Sequence, residues 1–212
     1  MNIIFTSPFN PLWSKGVLEI ASLLDAKVVH IGDLLRAEVK SNSLLGIEIK
    51  AVLDNGEILK PKLVNDLLSQ KFFDDPASKI LVNYPINKMQ AESLASCIGK
   101  CAHQIRACVY VNTDKESLFK KFESQFHCVD STHPKLETSK SNPLCGICDR
   151  PMVHSYNLAN DKVAYLIDSY FDNDGALSGV YTLSQVLGID PIPYATPEEV
   201  VAKILDLCHE HV

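Results

Sequence analysis

The stretch His30-Ile31-Gly32-Asp33-Leu34-Leu35-Arg36-Ala37-Glu38-Val39 joins an apolar run to the start of a helical pattern. The run that leads into it, Lys27–Ile31, contains β-branched residues and predicts a strand. Asp33 follows Gly32 at the predicted helix start, where the positive end of the helix dipole favours a carboxylate. The stretch therefore predicts a strand-to-helix step of an α/β fold.

The rest of the chain repeats this alternation of strands and helices, which indicates an α/β fold with a parallel sheet. The other predicted strands are Asn2–Thr6, Lys79–Asn83, Ala107–Val111 and Val180–Leu183. Helices are predicted over residues 14–24, 33–40, 45–53, 61–70, 89–100, 114–126, 158–171 and 197–208. Two of them begin with capping boxes, at Thr113 and Thr196. Residues 131–160 lose the periodicity and predict a lid, a metal-stapled lobe or disorder.

Composition excludes several classes of function. The 212 residues suffice for one sizeable core, and 46% hydrophobic with 22% charged residues is ordinary for a soluble globular protein. A net charge of −6 argues against nucleic acid as the main partner. No apolar run approaches the roughly 20 residues that cross a bilayer. Seven cysteines without tight pairing fit a reducing compartment, so a cytoplasmic location is expected.

The opening stretch resembles the AMP-binding segment of adenylate kinases, and Gln90-Ala91-Glu92-Ser93-Leu94 follows at the spacing of that family. The resemblance implies a doubly wound parallel sheet of the P-loop NTPase-like, adenylate kinase architecture, with small AMP-binding and lid insertions. It divides the chain into core 1–29, AMP-binding lobe 30–60, core 61–126, lid-like lobe 127–155 and core 156–212.

The same resemblance implies an AMP site. Its residues are Gly32, Asp33, Arg36, Leu53, Leu59, Val64 and Gln90. Arg36 would bind the acceptor phosphate, with a surface salt bridge as the alternative. Gln90 would hydrogen-bond the adenine edge, with a solvated helix-start glutamine as the alternative. Ile31 replaces a usual threonine and Asn83 a usual glycine, so weakened AMP binding is expected.

The segment that should bind the ATP donor departs from the family. A P-loop needs glycines whose N–H groups surround the phosphates, followed by Lys-Ser/Thr. Here the chain has Ser7-Pro8-Phe9-Asn10-Pro11-Leu12-Trp13-Ser14-Lys15-Gly16-Val17. The prolines remove N–H donors, and Phe9, Leu12 and Trp13 fill space. Lys15 is the one candidate catalytic residue, with a solvated helix-start lysine as the alternative, and Mg-ATP binding is doubtful.

Cationic residues for phosphoryl transfer are also scarce. The chain has three arginines, Arg36, Arg106 and Arg150, among 20 lysines and arginines. The resemblance places Val82 where an aspartate supports Mg²⁺, and Ile86 where an arginine contacts the acceptor phosphate. Because one transition-state arginine is worth roughly a thousandfold or more in rate, negligible adenylate kinase activity is predicted.

Cysteines near the predicted lid indicate a metal site. Cys145-Gly146-Ile147-Cys148 has the spacing of a zinc knuckle, and the resemblance adds Cys128 from its first half. His133, His127 or Asp149 would supply the fourth ligand. The alternative is a turn with free thiols.

The function expected from the sequence is a nucleotide-binding pseudoenzyme with a partly retained AMP site, and with an AMP-like nucleotide and a protein as partners. One alternative is a weak or altered nucleoside monophosphate kinase that uses Lys15, Arg36, Lys120 and Lys121. The other is a ligand-free interaction scaffold whose donor cleft is closed by apolar side chains. Neither nucleic acid nor a membrane is expected as a partner.

Overall fold

A computed structural model describes residues 1–8, 13–55, 59–73, 76–98, 105–130, 136–155 and 161–209. Its residues form two compact units, Met1–Asn112 with Tyr170–Val212, and Thr113–Ser169. The strands are β1 Asn2–Thr6, β2 Lys27–His30, β3 Lys79–Val82, β4 Ile105–Val111, β5 Gln125–His127, β6 Leu136–Glu137, β7 Val153–His154 and β8 Ile192–Tyr194.

The helices of the described residues follow in chain order. They are α1 Ser14–Leu23, α2 Ile31–Ser41, α3 Leu44–Asp54, α4 Pro61–Leu68, α5 Lys88–Ile98, α6 Lys115–Glu123, α7 Asp161–Phe171, α8 Ala176–Leu187 and α9 Pro197–His209, with a π-helical turn at Ser69–Phe73. Helix α8 ends where Gly188 adopts a positive φ of 68°, a conformation that glycine takes without strain.

The first unit contains a parallel sheet in the order β2-β3-β1-β4-β8. Successive residues of β1 face opposite sides, since strand side chains alternate. Ile4 belongs to a core cluster with Leu94 of α5 and Leu183 of α8. Phe5, on the other side, contacts the ring of Tyr194 edge-on at 5.7 Å between centroids. Helices α1 and α9 pack against each other and against this sheet, and their buried residues, such as Val17 and Val200, lie outside that cluster. Helices therefore cover both faces, which confirms the predicted doubly wound α/β fold.

A buried carboxylate joins α2 to α3. Glu38 is 5% exposed, and it accepts a hydrogen bond from the hydroxyl of Ser43. That hydroxyl also caps α3 by accepting from the Gly46 N–H at 2.9 Å. Lys71 lies 3.6 Å from the second oxygen of Glu38. Gly46 is required here, because a Cβ on it would lie 2.2 Å from the Glu38 carbonyl oxygen.

The second unit contains a small antiparallel sheet in the order β6-β5-β7. Helix α6 precedes it, and Lys115 of α6 pairs with Asp168 of α7 at 2.5 Å. A small core lies beside the sheet and contains Phe126, Cys128, Cys145 and Met152.

Three local predictions were wrong. Val180–Leu183 is part of α8, because burial of Gly179, Val180, Leu183 and Ser184 follows helical spacing although the local residues favour strands. Helix α6 ends at Glu123, and Gln125–His127 forms β5. Its cap is Asp114, whose carboxylate accepts from the Ser117 N–H at 2.8 Å. The cap at Thr196 is confirmed.

Among the helices of the described part of the chain, none has the length and apolarity to cross a bilayer. The five-segment division of the chain stays a prediction.

Candidate functional site

The segment between β1 and α1 is where a donor phosphate would bind, and the structure describes only its ends, residues 7–8 and Trp13 onwards. Phe9 and Leu12 lie outside the described residues, whereas Trp13 and Val17 are buried. The Lys15 side chain is 92% exposed and lies 3.7 Å from the carboxylate of Glu19, one turn further along α1. The one candidate catalytic ammonium is therefore partnered within its own helix.

An aromatic hydroxyl lies against the first turn of α1. A Cβ on Gly16 would stand 2.1 Å from the Tyr194 Oη, so this phenol contacts the glycine backbone directly. Burial raises the pKa of Tyr194, and the carboxylates of Glu19 and Glu198 raise it further. The surroundings of this helix start are thus partly filled and negatively charged, both of which oppose a polyphosphate.

The residue that follows β1 is also engaged. The Ser7 N–H donates to the Asn83 Oδ1 at 3.2 Å, and the Ser7 hydroxyl lies 3.3 Å from the same oxygen. Asn83 itself has a positive φ of 57° and donates its own N–H to the Phe5 carbonyl at 2.9 Å. A backbone N–H at the carboxyl end of β1 is therefore directed to a side chain instead of to solvent.

We call the edge where β2 and β3 end side by side, with His30 paired to Val82, the acceptor edge, because residues predicted to bind AMP lie there. Helix α2 begins at Ile31, directly after β2, and the Arg36 guanidinium contacts the Asp33 carboxylate at 2.5 Å. Both side chains are mostly exposed, at 74% and 63%, so this pair is the surface salt bridge given above as the alternative. A Cβ on Gly32 would lie 3.3 Å from the Arg36 Nη1, so Gly32 adjoins the pair, and the binding of AMP by these three residues stays a prediction.

Gln90 lies at the same edge, in the first turn of α5. It is 6% exposed, its side-chain oxygen accepts from the Ile86 N–H at 3.0 Å, and its own N–H donates to Asn87 Oδ1 at 2.8 Å. The alternative, a solvated glutamine at the helix start, is therefore wrong, because the Gln90 side chain is buried. The Gln90 amide is held in one orientation by the backbone beside it.

The three apolar residues of the predicted AMP site lie in different surroundings. Leu59 and Val64 are buried in the core cluster, whereas Leu53 on α3 is 46% exposed. Behind Val64, the buried Tyr84 hydroxyl donates to the Asn65 Oδ1 at 2.9 Å. The burial of Leu59 and Val64 is what packing alone would require, so their role in binding stays a prediction.

Three thiols of the second unit lie together. The Sγ atoms of Cys128, Cys145 and Cys148 all lie within 4.8 Å of one another, and Cys128 and Cys148 are 3.6 Å apart. The turn is held by the Cys145 N–H donating to the Arg150 carbonyl at 2.9 Å. Three clustered sulfurs are the soft donors that structural zinc takes, so these residues fit the predicted metal.

The electrostatics of this turn favour one thiolate. N–H groups of Ile147 and Cys148 point at Cys145 and lower its pKa to about 6. For Cys128 the N–H of Asp130 lowers the pKa, but burial and the neighbouring thiols raise it overall. Within the described residues the group comprises these three cysteines, without His127 or Asp149. His133, the predicted fourth ligand, lies outside the described residues.

No protein-family model matches the chain. It is 28% identical to an adenylate kinase of Rhizorhabdus wittichii over 153 residues, which are 70% of each chain. An adenylate kinase of Limosilactobacillus fermentum is 23% identical over 208 residues, 90% of this chain and 94% of the relative. Another, of Brevibacillus brevis, is 26% identical over 170 residues, 77% of each.

The chain is similar to adenylate kinases over most of its length. The long alignment with the Limosilactobacillus protein agrees with the parallel sheet and confirms the resemblance found in the opening stretch. These similarities support an adenylate kinase-like protein.

Sequence reasoning missed two residues of the site. Tyr194 lies on β8, far along the chain from α1, and only the three-dimensional fold brings it to Gly16. Asn83 was noted as a departure from the family, but its bonds to Ser7 were not foreseen. A long-range contact of either kind leaves no local pattern, so no sequence signal would have revealed it.

Proposed function

We propose that this adenylate kinase-like chain is a cytoplasmic nucleotide-binding pseudoenzyme, which retains an AMP-type acceptor site and has lost productive Mg-ATP binding. The contact of the Tyr194 hydroxyl with Gly16 carries the proposal, because it fills space against the first turn of α1, the helix start at which a donor phosphate would be held. Glu19 adds a negative charge beside the same turn and pairs with Lys15.

The acceptor half supports nucleotide binding. Gly32 lies in the first turn of α2, where backbone N–H groups and the helix dipole favour an anion, and the Arg36 guanidinium lies beside it. Gln90 is held rigidly at the adjoining edge, and a side chain that is already ordered loses little entropy on binding a base. An AMP-like nucleoside monophosphate is thus the proposed ligand, which the chain would report to a protein partner.

The first test is ADP formation from Mg-ATP and AMP at high protein concentration. We expect negligible turnover, and any trace should be equal in Lys15→Ala, since contamination does not depend on this lysine. AMP should raise the unfolding temperature, by an amount that corresponds to about 2.7 kcal/mol at a hundredfold excess over Kd, whereas Mg-ATP should not. Turnover that disappears in Lys15→Ala would contradict the proposal.

One observation favours the weak kinase as a second candidate. The Lys15 ammonium is held only by an exposed pair, of a kind that contributes about 0–1 kcal/mol, so a bound donor could draw it away from Glu19. The scaffold alternative has its own support in the exposed apolar residues Leu44 and Ile47 on α3. Absence of stabilisation by both AMP and Mg-ATP would favour the scaffold.

A further inference from the structure

The acceptor edge carries little net positive charge. In the first two turns of α2 and the segment 83–90, the cationic residues are Arg36 and Lys88. Asp33 binds the Arg36 guanidinium at 2.5 Å. The backbone N–H of Lys88 donates to the carboxylate of Asp174 at 3.1 Å, which places a negative charge at the start of α5. The two cations are thus accompanied by two carboxylates.

The side chains between these cations are apolar or uncharged. Ile86 is 50% exposed and Met89 is 57% exposed, although both lie next to the deeply buried Gln90. The residues from Asn83 to Asn87 carry no charge. This surface offers van der Waals contact and amide hydrogen bonds to a ring system, but little Coulomb attraction to a phosphate dianion.

One of the two polar atoms of the Gln90 side-chain amide already has a hydrogen-bond partner. Its oxygen accepts from the Ile86 N–H, while no hydrogen-bond partner of its nitrogen lies in the described part of the chain. This nitrogen is also not among the fully buried polar atoms. An oriented N–H donor beside exposed apolar side chains suits the acceptor nitrogen or oxygen of a nucleobase.

We propose that the acceptor site takes its ligand mainly by the base and sugar, so that nucleosides are ligands of this chain alongside nucleoside monophosphates. The inference rests on the proposed function and specifies its ligand class. A phosphate would gain a charge-assisted bond from Arg36, but the Asp33 carboxylate at the same guanidinium repels it and offsets most of that gain.

The test is a calorimetric comparison of adenosine and AMP with the full chain. For the wild type we expect the two dissociation constants to agree within about fivefold, because the phosphate meets a nearly neutral edge. Ile86→Arg adds a cation at a half-exposed position, and we expect it to raise the ratio of the adenosine dissociation constant to the AMP dissociation constant at least about tenfold. Asp33→Asn should likewise raise this ratio.

Leu205→Arg is the matched control, since it adds the same charge at a 44% exposed position of α9 and should change neither affinity. Wild-type AMP binding about a hundredfold tighter than adenosine binding would overturn the inference and leave the proposed function intact. Binding of neither ligand would overturn both. If Ile86→Arg fails to fold, as judged by circular dichroism, the Asp33→Asn comparison decides.

Discussion

At the scale of single residues, the contact between Gly16 and Tyr194 carries the proposed loss of the donor site. The Tyr194 phenol contacts Gly16 in the first turn of α1. Burial raises the pKa of Tyr194, and the carboxylates of Glu19 and Glu198 raise it further. A neutral hydroxyl and a glycine backbone form a close contact that tolerates no added atom. The Tyr194 hydroxyl occupies the space that a side chain at position 16 would need, and the same space is closed to a ligand.

Substitution of Gly16 by alanine should therefore destabilise the first unit. The new Cβ would stand 2.1 Å from the Tyr194 Oη, which forces the phenol or the helix to shift. We expect a loss of about 1–3 kcal/mol in the free energy of unfolding, measured by urea denaturation. Gly16→Ala combined with Tyr194→Ala should cost less than the two single changes added together. Additive losses would contradict the contact.

Cys145 should titrate apart from the other thiols in metal-free protein. Its lowered pKa, about 6, makes it a thiolate at neutral pH, so its contribution to stability is present above the ordinary thiol pKa and is lost as the pH falls through 6. The ultraviolet absorbance of the thiolates, followed as a function of pH, should show one step near pH 6 that is absent in Cys145→Ser. Cys97→Ser should retain that step. If every thiol titrates in the alkaline range, the N–H groups of Ile147 and Cys148 do not lower the pKa of Cys145.

At the scale of elements, the corner between α2 and α3 is held together by one buried carboxylate. Ser43 caps α3 and donates to Glu38 at once, so that one hydroxyl serves a helix end and a buried carboxylate. Lys71, from the π-helical turn, lies on the other oxygen of Glu38. Three elements of the chain are joined by this one buried acid.

Removal of the Ser43 hydroxyl should weaken the corner. We expect Ser43→Ala to lower the free energy of unfolding by about 1–2 kcal/mol, because the cap is lost and a buried carboxylate loses a donor. The matched control is Ser96→Ala on the exposed face of α5, whose hydroxyl donates only to the Glu92 carbonyl. Equal stability of the two variants in thermal unfolding would refute the role of Ser43.

The whole molecule consists of two units with unequal means of stabilisation. The unit formed by Met1–Asn112 and Tyr170–Val212 has a parallel sheet covered by helices, whereas Thr113–Ser169 has a small antiparallel sheet, buried side chains on α6 and α7, and a cluster of three thiols. A metal ion on Cys128, Cys145 and Cys148 would join the segments that carry these thiols and stabilise the second unit.

Metal removal should thus loosen one unit and spare the other. We expect about one zinc per purified chain, and after chelation faster amide exchange over residues 125–155 with unchanged exchange in β1 and β3. Hydrogen exchange read by mass spectrometry measures both regions in one experiment. Cys148→Ser should imitate chelation, and Cys97→Ser should not. A chain purified without chelators that contains no zinc would refute the metal site.

Much of the fold was determined by the sequence by itself, because local patterns specify local structure. Hydrophobic runs placed β1 to β4, and the Gly32-Asp33 helix start with Arg36 one turn later located the acceptor edge. The spacing of Cys145 and Cys148 indicated the thiol cluster. Each of these signals lies within a few residues, where geometry follows from backbone periodicity and side-chain type.

Only the tertiary structure decided the contacts between distant segments. It made a helix of Val180–Leu183, since burial of one face outweighed the strand preference of those residues. It also brought Tyr194 to Gly16 and Asn83 to Ser7, and committed the Gln90 oxygen to Ile86. Packing and hydrogen-bond geometry depend on every element that meets at a point, so no local stretch of this chain contains them.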